Sequence, residues 1–137
     1  MQSLSPQRLT ELKAHANNVR QGIIRSLLSA GSGHSAGSLD MADIFTALYF
    51  HVMKHDPKIP MMEDRDRLLL SCGHITPVRY SAMAYAGYFP VEELLTLRFD
   101  DGGKIARITG RQTAGSFFKR TPRRANGLGL LPTARMP

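Results

Sequence analysis

Cysteine is nearly absent. Cys72 stands alone among 137 residues, which excludes an intramolecular disulfide framework and a multi-cysteine zinc or iron–sulfur centre. Long apolar runs are missing too, and none approaches the roughly 20 residues that a membrane span needs. Residues 1–6 lack the charged and apolar regions of a secretory signal, so a reducing, cytoplasmic setting is expected. Acidic residues are scarce at one end. Residues 99–137 hold eight Lys and Arg against only Asp100 and Asp101, whereas residues 1–98 hold ten against nine. The net charge of +7 therefore belongs to a basic tail and not to the body. What is present is a globular composition. The 42% of apolar residues excludes wholesale disorder. A chain of this length fits one domain and can bury about two-thirds of the surface that it exposes when unfolded.

The body reads as helices feeding a buried strand, an α/β arrangement. Ser5-Pro6 is a helix start, with serine as N-cap and proline where no N–H is needed. Leu9, Leu12, Ala16, Val19, Ile23 and Leu27 then recur every three or four residues along one helical face. Gly31-Ser32-Gly33 breaks the pattern. A second helix is predicted from about Asp40 to Lys54, capped by Asp40, with Asp43 in its favoured first turn. Its apolar residues cover more than half its circumference, which predicts a sandwiched helix. Leu68-Leu69-Leu70 is a short apolar run of the kind that a parallel sheet buries on both faces. Thr76-Pro77 opens a further helix reaching about Ala86, and 91–98 a short one.

Two segments carry candidate chemistry. Gly31-Ser32-Gly33-His34-Ser35-Ala36-Gly37-Ser38 surrounds one histidine with small residues. Glycine lets backbone approach a ligand closely, and the helix start that follows offers free N–H groups. The same pattern also suits a plain interhelical turn. Ser71-Cys72-Gly73-His74 follows the predicted strand, at the edge where open α/β sheets bind ligands. A histidine there can hydrogen-bond a phosphate or act as acid or base, or simply pack. Cys72 reads as a small buried filler. His51 and His55 share a helical spacing without a third ligand, so no metal site is assigned. Asp64-Arg65-Asp66-Arg67 reads as a solvated loop.

Taken in order, these stretches resemble the N-terminal region of transketolases, especially the short N-terminal subunits of split transketolases. The resemblance runs over about residues 9–98. It rests on Gly31-Ser32-Gly33-His34 with Gly37-Ser38-Leu39, Asp43-Ile44 with Ala47-Leu48-Tyr49-Phe50, His55-Asp56-Pro57-Lys58, Asp64-Arg65-Asp66-Arg67, Ser71-x-Gly73-His74 and Ala86-Gly87-Tyr88-Phe89-Pro90. The 1-deoxyxylulose-5-phosphate synthases are the related alternative, which the Asp-Pro and Ser-x-Gly-His stretches fit less well. The resemblance implies the N-terminal part of a thiamine diphosphate-binding three-layer α/β fold, mostly helical over this stretch with one clear buried strand. It implies transfer of a two-carbon ketol unit between sugar phosphates, in the pentose phosphate pathway. It implies thiamine diphosphate and Mg²⁺ as cofactors, and a dimer with a separate C-terminal chain as partner. His34 takes the catalytic position, and His74, with Gly73 and Ser71, the cofactor-binding one.

Two departures stand within the resemblance. Family members commonly read His-Pro-Gly-Gly where this chain reads His34-Ser35-Ala36-Gly37, so a fixed turn is loosened and a position open to positive φ is closed. Cys72 replaces a lysine. Beyond Arg98 the family's Arg-Leu-Gln-Gly-His-Pro and Gly-Asp-Gly stretches are not seen, and with the latter goes the hard oxygen ligand that Mg²⁺ requires. Residues 99–137 are therefore expected to be a Gly/Arg-rich tail, disordered or read out of frame. A one-nucleotide shift over 103–109 can encode Arg-Leu-Gln-Gly-Ser-Pro. The alternative is a small non-catalytic protein whose tail, with Lys119-Arg120, Arg123-Arg124 and Phe117-Phe118, binds nucleic acid. The expectation is an incomplete transketolase-like chain, inactive alone, with neither membrane nor nucleic acid as partner.

Overall fold

The computed structural model describes residues 4–97, and the predicted tail at 99–137 lies outside them. Its longest element is helix α1, Pro6–Ala30. Ser5, extended at φ −65° and ψ 151°, accepts the Arg8 N–H on its hydroxyl at 3.2 Å, which satisfies one of the amides that a helix start leaves free. The other end closes on Gly31 at φ 63°, whose N–H reaches the Leu28 carbonyl at 3.1 Å. Only a residue without Cβ takes that left-handed turn at no cost.

The second predicted helix is divided. It starts at Ala36 and not at Asp40, as α2 (Ala36–Asp40), then α3 (Ala42–Ala47), then a π-helical turn at Leu48–Val52. Asp40 therefore ends a helix where it was expected to cap one. Asp43 does lie in a first turn, and its carboxylate meets Arg20 of α1 at 2.6 Å. The wide turn leaves the Phe50 carbonyl to accept from Arg8, while the Phe50 ring stacks on His15 at 4.1 Å. Helix α4, Thr76–Tyr85, begins on Pro77, and a 3₁₀ helix at Val91–Thr96 follows.

These elements meet in one core. Val19 and Ile23 of α1, Phe45 of α3, Tyr49 of the π turn, Val78, Ala82 and Met83 of α4, and Leu94 of the 3₁₀ helix are all buried. The regular α1 spacing thus predicted the buried face well, apart from Leu9, which is exposed. The sandwiched second helix is not observed. Phe45 and Tyr49 are buried, but Ile44 and Val52 are 52% and 63% exposed.

The clear buried strand at 68–70 is also not observed, and no strand occurs among the described residues. The segment does alternate. Leu68 and Leu70 pack against the core, while Leu69 between them is 69% exposed. That is the side-chain geometry of a strand. A strand also needs a ladder, and no backbone hydrogen bond joins 68–70 to another described segment. Apolar composition sets the alternation, but only a neighbouring backbone converts it into a sheet. No helix among the described residues is long and apolar enough to cross a membrane.

Candidate functional site

The loop after α1 carries His34. Its backbone carbonyl lies 3.5 Å from the hydroxyl of Ser38, which is fully buried in α2, and the Leu39 N–H donates to the Ser35 carbonyl at 2.9 Å. Helix α2 therefore grips the loop from below. Ser35 lies at φ −85° and Ala36 opens α2, while the positive-φ glycines are Gly31, Gly33 and Gly87. The serine and alanine that depart from the family's Pro-Gly thus occupy ordinary right-handed backbone, and Ala36 meets no left-handed requirement.

The second segment is a 3₁₀ turn, Gly73–Ile75, capped by Cys72. The Thr76 hydroxyl donates to the Gly73 carbonyl at 2.9 Å and fastens the turn to α4. Cys72 is exposed and not the buried filler expected. Ser71 is exposed, Gly73 is half-buried, and His74 projects from the turn into solvent.

These two segments meet. The rings of His34 and His74 approach edge to face, with centroids 4.7 Å apart and planes at 73°. Both are exposed. Gly37 makes the approach possible, because a Cβ built there would stand 2.9 Å from Cγ2 of Ile75, the residue next to His74. Two imidazoles on one open surface can donate to an anion, accept from a hydroxyl and carry protons. His51 and His55 do not pair. The helix ends between them at Val52, and His55 is consumed internally. Its Nε2 lies 2.6 Å from the Tyr49 carbonyl, which only accepts, so that nitrogen carries the hydrogen and Nδ1 accepts from the Tyr88 hydroxyl at 2.9 Å.

Sequence reasoning missed a polar group beneath the core. Arg79, within the apolar run of α4, is only 8% exposed and stands beside Tyr49. Burial raises the Tyr49 phenol above 10.0, against the pull of Arg79. Burial, and then the neighbouring Tyr49, raises Tyr88. The available signal was a charged residue at a position in the helical period that faces inward.

Comparison with known proteins matches the sequence to a family. The family described as transketolase, thiamine diphosphate binding domain, matches residues 12–106, eight positions past the expected limit at 98. Over 87 residues the chain is 45% identical to the 6-deoxy-6-sulfo-D-fructose transketolase subunit SqwG of Clostridium sp. (strain MSTE9), covering 64% of this chain and 32% of that subunit. It is 40% identical over 92 residues to the transketolase of Pongo abelii, covering 67% of this chain and 15% of that enzyme. The transketolase family protein y4mO of Sinorhizobium fredii (strain NBRC 101917 / NGR234) is 36% identical over 130 residues, covering 91% of this chain and 42% of its own length. The chain thus spans about a third or less of the first two relatives, and the similarity to the third extends well past residue 98. The sequence stretches around both histidines, the extent of the family match and these relatives agree: the chain belongs to the transketolase family, and carries part of its α/β thiamine diphosphate binding domain.

Proposed function

We propose that the His34–His74 surface is this chain's share of a thiamine diphosphate site, in an enzyme that transfers a two-carbon ketol unit between sugar phosphates. The observation that supports it most is the convergence of two histidines forty positions apart in sequence, with rings 4.7 Å apart and open to solvent.

The donor set suits the organic cofactor. Imidazole N–H groups, the Ser71 hydroxyl and the Gly73 backbone can hydrogen-bond phosphate and sugar oxygens. It does not suit Mg²⁺, which takes hard oxygen ligands, and no cluster of three metal-ligating side chains lies among the described residues. When bound, thiamine diphosphate supplies an electron sink for the carbanion. The residues of this chain supply position and protons. His74, with Gly73 and Ser71, holds the cofactor. His34 faces the sugar, accepting a proton from a substrate hydroxyl and returning it to the product oxygen. We place that enzyme in the cytoplasm, as a dimer with a separate C-terminal chain; the subunit relative supports the split arrangement.

The energetics make a sharp test. A histidine hydrogen bond to a charged group contributes about 1.5–3 kcal/mol, short of the roughly 4 kcal/mol that a dissociation constant of 1 mM represents. Alone, the chain should show no thiamine diphosphate binding by isothermal titration, with or without Mg²⁺. In NMR titrations the cofactor should still shift the ring protons of His34 and His74 in fast exchange. Shifts confined to other residues would overturn the assignment, and so would tight Mg²⁺-dependent binding by this chain alone.

A further inference from the structure

A cavity of about 20 Å³ lies between α4, the π turn and the loop that follows it, lined by Tyr49, Arg65, Asp66, Leu68, Arg79 and Tyr88 among others. Neither His34 nor His74 lines it. Arg79 is more than nine-tenths buried, its Nε has no hydrogen-bond partner, and no acidic side chain pairs with it among the described residues. Buried charges are otherwise paired or neutralised, and an arginine cannot shed its proton. Asp66 is the acidic residue on the wall, but it is exposed, and its Oδ2 accepts the Lys54 N–H at 2.8 Å. Arg65 adds a second cation to the wall, and its Nη1 donates to the Asp66 carbonyl. The Tyr49 hydroxyl, kept protonated by burial, accepts a hydrogen bond from Arg79 but, being neutral, does not offset its charge.

We infer that this cavity binds one monatomic anion, chloride under ordinary conditions, held by the Arg79 guanidinium. Size favours a small ligand: a space on the order of 10–15 Å³ holds one water, and about 20 Å³ suits one spherical ion better than a tetrahedral oxyanion. Charge decides between ion and water, because a water satisfies the Nε hydrogen without offsetting the buried charge. Binding is electrostatic and involves no bond making or proton transfer.

The test is the line width of the chloride NMR resonance in a solution of the full chain. Excess broadening over a protein-free solution is expected. Bromide should remove it by displacement, and sulfate at matched ionic strength should not. Arg79→Met, checked for native helical circular dichroism, should lose the excess. Absence of broadening with the unsubstituted chain overturns the site, as does removal by sulfate as readily as by bromide, or retention in a folded Arg79→Met. The bromide and sulfate comparison needs no variant, so it decides the matter even if Arg79→Met does not fold.

Discussion

Gly37→Ala separates the needs of the site from the needs of the fold. In a helix the change itself is favourable, by about 0.5–1 kcal/mol. Its cost falls on one contact, the 2.9 Å between the new Cβ and Cγ2 of Ile75. Ordinary carbon contacts begin near 3.4 Å, so the two must part by at least half an ångström. Ile75 cannot yield by swinging a flexible end, because Cγ2 is bonded directly to its Cβ. Turning χ1 off its rotamer by some 30° costs about 0.5–1.5 kcal/mol, so the terms nearly cancel and stability should change by less than about 1 kcal/mol. The cheaper movement shifts the 3₁₀ turn and takes His74 with it. The expected result is a melting temperature close to that of the parent, with a weakened cross-peak between the His34 and His74 ring protons and altered ring-current shifts. Under the function proposed above, a displacement of this order should also slow ketol transfer, since misplacing a reacting group by 1 Å can cost about 10²-fold. An unchanged cross-peak, with unchanged histidine shifts, would refute the claim that Gly37 sets the approach of the two rings.

Two further outcomes follow from the core. Phe45→Ala empties a site only 2% exposed between α1 and α4 and should destabilise the chain by about 3–5 kcal/mol, read by urea denaturation. The raised phenols of Tyr49 and Tyr88 make stability sensitive to alkali. Between pH 10 and their folded titration the folded chain holds protons that the unfolded chain has released, so stability is fully present below pH 10 and falls as pH rises further. Phenolate absorbance followed alongside helical circular dichroism checks this, and a flat stability across that range would contradict the burial of both rings.

Local signals carried much of this structure. Ser5-Pro6 and Gly31 fix both ends of α1 through their own backbone chemistry, and Thr76-Pro77 fixes the start of α4, so those elements were legible. Both histidines of the proposed site stand out in the sequence as well, because small residues and glycines flank each of them. Their meeting was not, since it depends on α2 starting at Ala36 and on the Gly37–Ile75 contact, which are matters of tertiary packing. Asp40 misled because a capping residue and a helix-ending aspartate look alike in sequence. Arg79 is the reverse case: it stands at an inward-facing position of the α4 period, where a charged residue among apolar ones is itself the signal. Leu68-Leu69-Leu70 misled differently: its side chains alternate as a strand's do, but pairing is a property of two segments and cannot be written in one.

That segment, unpaired among the described residues, has a consequence for assembly. Its inner leucines already anchor it to the core, so its direction and pleat are set before any neighbour arrives. A backbone laid alongside would find one row of amides and carbonyls in fixed phase, and slipping by one residue would turn its side chains to the wrong face. The segment thus behaves as a template with its reading frame already chosen. It would reward the right neighbour cooperatively, and it offers the same row to another copy of itself. Concentration therefore matters to this chain in a way that it would not if the ladder were closed.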